Sequence, residues 1–233
     1  MRKPYSSDLT DAQWELVREF IPQPVWWQNL QAPKYPRREI LNAIFYRQRT
    51  GCQWRNLPND LPPGKQVADY FASWRRRGVL DRIHDALRDA VREATPHADG
   101  SPRTAMPTRC ILDSQSAKST TTSTDERGFD AAKKVKGRKR HLVVDMLGLL
   151  LLARVTSASV QDRDAAPALM HEARTCFPTL DVAYMDGAYA GQAKVRIEHE
   201  TGLEVRIVKR TDIQKGASYP SQRDGRSSEP SVG

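Results

Sequence analysis

The chain is short of the features that would staple or embed it. Its 233 residues hold three cysteines, Cys52, Cys110 and Cys176, odd in number and without C-x-x-C spacing. That argues against a disulfide scaffold or a cysteine zinc site and points to a reducing compartment. The longest apolar run, Leu147 to Ala153, falls far short of the roughly 18 residues a membrane span needs. No apolar stretch follows Met1-Arg2-Lys3-Pro4-Tyr5, so no secretory signal is expected and the cytoplasm is the expected location. His84, His97, His141, His171 and His199 stand at no ligand spacing. A Gly-rich phosphate loop and a nucleophile elbow are both missing, which leaves an ATPase or an acyl hydrolase unsupported. Negative charge is scarce too: 28 Asp and Glu face 37 Lys and Arg, a net +9. A polyanionic partner, most simply nucleic acid, is the first expectation.

What is present divides in two. Residues 1–95 read as helices. Thr10 and Gln13 form a capping-box pattern, and Trp14, Val17, Phe20 and Ile21 recur at helical spacing until Pro22 and Pro24 stop them. Pro36 opens a second helix with the apolar face Ile40, Leu41, Ile44 and Phe45, closed by Gly51. Val67, Tyr70, Phe71 and Trp74 line a third helix ending in Arg75-Arg76-Arg77-Gly78, and Leu80, Ile83, Leu87 and Val91 a fourth. Such a bundle has room for a helix-turn-helix arrangement. Trp14 and Trp74 fall on apolar stripes and read as core, whereas Trp26, Trp27 and Trp54 lie in or near loops.

Residues 96–108 are a linker by composition, and beyond them the periodicity changes. Arg109–Asp113 is strand-like, and the Ser- and Thr-rich 114–130 reads as a mobile stretch. Two apolar runs around Met146-Leu147-Gly148 read as a hairpin. A helix over Pro167–Cys176, a strand over Val182–Met185, a helix over Ala193–Glu200 and a strand over Leu203–Val208 follow. The fold class is α+β: a small helical domain, then a mixed α/β domain.

Two segments carry chemistry. Ile111-Leu112-Asp113-Ser114 and Tyr184-Met185-Asp186-Gly187 each place a carboxylate just past an apolar strand. Ligands of α/β folds bind at such strand ends, and paired carboxylates suit Mg²⁺, which keeps waters and adds substrate phosphates. The plain alternative is Asp as turn chemistry after a strand. The basic run Lys133, Lys134, Lys136, Arg138, Lys139 and Arg140 reads either as a phosphate-contacting patch or as a lysine-protected edge strand. Arg75, Arg76 and Arg77 read either as DNA contacts or as partners of a helix dipole.

Longer stretches resemble a known family. Leu9-Thr10-Asp11-Ala12-Gln13-Trp14 and Tyr46-Arg47-Gln48-Arg49-Thr50-Gly51-Cys52-Gln53-Trp54 resemble the helical domain that opens bacterial insertion-sequence transposases of the IS-five family. Leu112-Asp113-Ser114-Gln115-Ser116, Gly137-Arg138-Lys139-Arg140-His141, Ala158-Ser159-Val160-Gln161-Asp162-Arg163-Asp164 and Asp186-Gly187-Ala188-Tyr189 are similar to their DDE catalytic domain. The resemblance implies a ribonuclease-H-like fold in which two Asp and one Glu hold two divalent metals, Mg²⁺ or Mn²⁺. Asp113 and Asp186 match the two Asp positions. One metal would activate water or a 3′-hydroxyl and the other stabilise the leaving oxygen. The implied partners are double-stranded DNA, as element ends and target, and further copies of the chain on that DNA. Arg47, Arg49 and Arg75–Arg77 would serve DNA binding from the helical half, the basic run from the catalytic half. No membrane partner is implied, and the setting is the bacterial cytoplasm at the nucleoid.

The resemblance breaks after Arg210. The family continues K-G-F-V-x-L-P-x-R-W-x-V-E-R-T-F-x-W, whereas this chain reads Lys215-Gly216-Ala217 and then a polar tail to Gly233. Codons can be chosen for Ala217–Gly233 that, read two bases later, give a close match to the family segment, with its Glu codon straddling Ser227 and Ser228. The expectation is therefore an incomplete ribonuclease-H-like domain over 109–216 and an out-of-frame, disordered tail over 217–233, in which Glu229 is coincidental.

Overall fold

A computed structural model describes residues 2–22, 35–118, 128–131 and 133–208. Trp26 and Trp27, part of the Ser- and Thr-rich stretch and the tail over 217–233 lie outside the described residues. The chain divides into two compact units, the first ending at Val91 and the second beginning at Arg92.

The helical half follows its local signals. Helix α1 (Asp11–Val17) carries the complete reciprocal capping box between Thr10 and Gln13. Helix α2 (Arg37–Thr50) has Pro36 as its cap and ends on Gly51 at φ 69°, a left-handed conformation glycine adopts without strain. Helix α3 (Gly64–Arg76) and helix α4 (Val79–Ala94) complete the set. Val17, Ile40, Leu41, Ile44, Val67 and Trp74 are buried together. Trp14 packs against this cluster as expected, and Trp54 joins it through Phe71 with ring centroids 5.3 Å apart. Asn42 is a buried polar residue of this half: its Oδ1 accepts the Leu9 amide at 3.0 Å, and its Nδ2 donates to Glu39 at 3.0 Å.

Gly64 is where two backbones meet. A Cβ built there would lie 1.9 Å from the Trp54 carbonyl oxygen, a main-chain atom that cannot swing aside. Gly64→Ala is expected to cost about 2–3 kcal/mol in urea unfolding, the upper range for forced overpacking. Gly51→Ala meets no atom within 4 Å, so its cost is limited to the left-handed backbone, about 1 kcal/mol. Equal losses at the two positions would refute the steric account.

The second half is built on one sheet. Strands β1 (Arg109–Lys118), β2 (Gly128–Asp130), β3 (Val135–Asp145), β4 (Leu150–Ser157), β5 (Val182–Asp186) and β6 (Glu204–Val208) run in the order β2-β3-β1-β5-β6, with β4 also on β3. β1, β3 and β4 are antiparallel, while β5 lies parallel to β1 and β6 parallel to β5. Helices α5 (Asp162–Cys176) and α6 (Gln192–Thr201) supply the crossovers around β5. Leu112, Val143, Leu169, Met170, Met185 and Ile197 meet in the core between sheet and helices.

Three expectations about this half change. β1 continues through Ser114–Lys118, because each of those residues pairs with β3 from His141 back to Gly137. From Lys136 on, the basic run forms part of β3 and does not merely precede it, while Lys133 and Lys134 lie in the turn before it. Helix α5 begins five residues before Pro167 and contains it. The expected hairpin is present, turning on Gly148 at φ 79°. The linker stretch after Ala94 folds back, its Thr104 and Ala105 carbonyls accepting the Arg92 guanidinium.

Candidate active site

Register brings the two chemistry-bearing segments together. β1 and β5 pair in parallel with Ile111 opposite Tyr184 and Leu112 opposite Met185. The next position on each strand is Asp113 and Asp186, on neighbouring strands about 4.8 Å apart. Leu112 and Met185 point into the helix-covered core. Alternation therefore turns Asp113 and Asp186 to the opposite face, where both are exposed.

Each carboxylate is held by one oxygen. Asp113 Oδ1 accepts the Ser114 amide at 2.7 Å, and Asp186 Oδ1 accepts the Ala188 amide at 2.8 Å. The second bond makes Asp186 the cap of a short 3₁₀ turn over Gly187–Tyr189. Among the described residues no cation is paired with either carboxylate. Two adjacent negative charges without a counter-charge repel, and a divalent cation relieves that repulsion. The pair fits such an ion through two oxygen ligands, leaving its other positions for water and phosphate. No group of three or more His, Cys, Asp or Glu side chains that could hold a metal occurs among the described residues.

The same alternation sorts the basic run. Gln115 faces Arg140 and Ala117 faces Arg138 across β1 and β3, so Arg138 and Arg140 share the face of Asp113. Lys136, two positions earlier, follows them. Lys139 points the other way and is buried. Its Nζ donates to the Val160 carbonyl at 2.8 Å and lies 3.0 Å from Asp162 Oδ1 and 3.7 Å from Asp130 Oδ2. The Asp130 carboxyl is drawn below the usual range, chiefly by the Ser116 hydroxyl bonded to it at 2.6 Å. Lys133 is exposed and its Nζ reaches the Ser114 carbonyl at 3.3 Å, beside Asp113. Lys134 is also exposed.

Lys139→Ala removes the buried ammonium set between Asp162 and Asp130, and is expected to cost about 3 kcal/mol in urea unfolding. Arg140→Ala, one residue along on the exposed face, should stay within about 0.5 kcal/mol. A small loss at Lys139 would show that its ammonium is not an internal ion-pair partner.

Sequence reading assigned no role to Tyr189. It is 1% exposed, and burial raises its phenol above the ordinary value, with the charge of Asp162 and then those of Asp186 and Asp113 adding to the shift. The buried phenol is thereby kept neutral; its sequence signal was its place three residues after Asp186, within the Asp186-Gly187-Ala188-Tyr189 stretch. His141, also buried, bonds Thr156 Oγ1 at 3.0 Å through Nε2, and burial lowers its pKa, which favours the neutral ring.

In the helical half the arginines separate. Arg47 is partly buried and stacks over the Trp54 ring at 4.3 Å, while Arg49, Arg75, Arg76 and Arg77 are exposed. No helix among the described residues is long and apolar enough to cross a membrane.

Comparison with known proteins gives two family matches. Residues 9–84 match the family described as a putative transposase of the IS4/5 family, and residues 104–229 match the transposase DDE domain, which takes in more than half of the chain. The chain is 33% identical over 75 residues to an uncharacterized protein, y4sN, of Sinorhizobium fredii, covering 32% of this chain and 58% of that one. It is 30% identical over 90 residues to the uncharacterized 16.2 kDa protein of insertion element IS402 from Burkholderia cepacia, covering 37% of this chain and 61% of that one. The chain thus spans about three fifths of the length of these curated relatives.

Proposed function

The chain belongs to the transposase DDE domain family, and from that premise we propose that it acts in insertion-sequence transposition, binding the terminal inverted repeats of an element and catalysing metal-dependent cleavage and transfer of DNA strands. The observation that carries this reading is the side-by-side placement of Asp113, within β1, and Asp186, at the end of the parallel β5, without a cationic partner among the described residues. A ribonuclease-H-like reading of the sheet is supported by its order: antiparallel β4, β3 and β1, then β5 and β6 parallel beyond β1.

Asp113 and Asp186 would hold Mg²⁺ or Mn²⁺, which supplies Lewis-acid stabilisation of charge on phosphate oxygens. The remaining work falls to the chain's own groups. The Ser114 and Ala188 amides orient the two carboxylates. Arg138 and Arg140, with Lys136, place positive charge along the same face, and Lys133 adds an ammonium beside Ser114. Arg49 and Arg75–Arg77 supply backbone contacts to double-stranded DNA from the helical half, where further copies of the chain would assemble.

A second reading rests on a specific observation: the described residues contain no third carboxylate or imidazole converging with the pair. The chain then occupies element ends without cutting and limits transposition. Purified chain mixed with duplexes bearing the ends of its own element, with Mg²⁺ or Mn²⁺, separates the two. Cutting that stops in EDTA and in Asp113→Ala supports the enzyme; steeply salt-dependent binding without cutting supports the regulator. Cutting with no preference for end sequences would overturn both in favour of a general endonuclease.

A further inference from the structure

The turn that follows Asp186 separates two open clefts. One, of about 530 Å³, is lined by Lys133, Lys139, Asp162, Arg163 and Ala188, among others. The other, of about 780 Å³, is lined by Arg163, Asp164, Pro167, Ala190 and Arg196, among others. Arg163 lines both clefts, and Ala188 and Ala190 stand on either side of Tyr189 in the dividing turn. The clefts meet at Arg163 and make a track past the turn that follows Asp186, with Lys133 on the wall of the first.

The charges along that track are not equally available. Lys139 is engaged by Asp162 and Asp130, and those two carboxylates are in turn occupied by it. Arg196 is bonded to Glu200 at 2.6 Å. Asp164 contributes one exposed negative charge from the first turn of α5. Arg163 is exposed, and among the described residues no carboxylate is paired with it. Much of the remaining wall is small and smooth, with Ala131, Ala158, Ala188, Ala190 and Ala193 among its residues. A long flexible guanidinium without a carboxylate partner among the described residues, with the Lys133 ammonium on the same walls, is suited to a ligand that brings its own row of negative charges.

We propose that the track seats a stretch of sugar-phosphate backbone running past the turn after Asp186, on its way to the sheet face where Asp113 and Asp186 stand, and that Arg163 binds a phosphate flanking the reacting one. This rests on the transposase reading above and adds a residue outside the basic run and outside the arginines of the helical half. Arg163 is thereby a DNA-positioning residue. Its guanidinium would contact a phosphate and no base, so the contact carries no sequence preference.

The full chain is titrated with a fluorescent 30-bp duplex of mixed sequence, by anisotropy, over a range of salt concentrations. Arg163→Gln is expected to weaken binding several-fold at low salt and to lower the slope of log affinity against log salt by about 0.9, one phosphate contact. Arg163→Lys should keep most of the slope. Arg154→Gln removes the same charge from a residue that lines neither cleft, so it should leave the slope unchanged. Because Arg163 is exposed, all three variants should melt with the parent. Arginine modification by phenylglyoxal, read by peptide mass, gives an independent measure: DNA should protect Arg163. If Arg163→Gln behaves as Arg154→Gln while the parent binds DNA, this proposal is wrong and the DNA-binding reading stands. A parent chain that binds no DNA removes both.

Discussion

Asp113→Ala should lower metal-dependent cutting of element-end DNA by about 10³-fold or more, leaving the melting temperature within a degree or two of the parent. The size follows from what the carboxylate does. Losing one of two anionic oxygen ligands forfeits several kcal/mol of charge stabilisation on the reacting phosphate, and about 4 kcal/mol corresponds to 10³ in rate. The small effect on stability follows from exposure. Asp113 gives up one hydrogen bond, to the adjacent Ser114 amide, and no ion pair among the described residues. DNA affinity without metal should rise slightly, because a like charge leaves the phosphate-facing surface. Asp186→Ala should match it in rate but melt lower, since Asp186 also caps the 187–189 turn through the Ala188 amide; loss of such a cap costs about 1 kcal/mol. Cutting by Asp113→Ala at the parent's rate in the same metal would dismiss the two-carboxylate site altogether.

The largest stability effect is expected at a place with no chemistry. Arg92→Ala should lower the unfolding free energy by about 3–5 kcal/mol, out of the 5–15 kcal/mol typical of a domain. Arg92 and Asp145 form a buried ion pair, their side chains 6% and 0% exposed. Neither charge has water to fall back on. The Arg92 Nε also donates to the carbonyls of Thr104 and Ala105, at 3.3 and 3.0 Å. Asp145 Oδ1 accepts the amides of Leu147 and Leu149, both at 2.8 Å, and so shapes the turn between β3 and β4. Removing the guanidinium leaves a fully buried carboxylate with only amides around it. Arg92→Lys keeps the charge but loses the planar fork, so a loss intermediate between parent and Ala is expected. Urea midpoints at constant m-value measure the series. A loss below about 1 kcal/mol for Arg92→Ala would mean that the pair is open to solvent.

Much of the architecture was legible from short stretches. Thr10 with Gln13, Pro36 with Gly51, and Met146-Leu147-Gly148 each set a boundary through atoms within four or so residues, and the structure places those boundaries accordingly. The expected end of β1 at Asp113 was short because Ser114–Lys118 are polar and show no apolar alternation. Their strand conformation comes from hydrogen bonding to β3, which composition does not register. The basic run was legible as charge but not as function. Arg138, Lys139 and Arg140 are chemically alike in one dimension, yet the pleat sends Lys139 inward to Asp130 and Asp162 and its neighbours outward.

Local chemistry was enough to set the helices, their caps, the hairpin, and the presence of two aspartates just past apolar runs. It could propose that those aspartates meet, but not where. Their meeting depends on β5 returning parallel to β1 after the crossover through α5, with a register that aligns Leu112 and Met185. Pairing partner and register are set by apolar side chains far apart in the chain that share one core. The same long-range packing decides that Lys139 is interior, that Tyr189 is buried in the core and that Arg163 lines both clefts. Capping and turn signals act over a few bonds and can be read in order, whereas a site assembled across a sheet exists only once distant strands have chosen their neighbours.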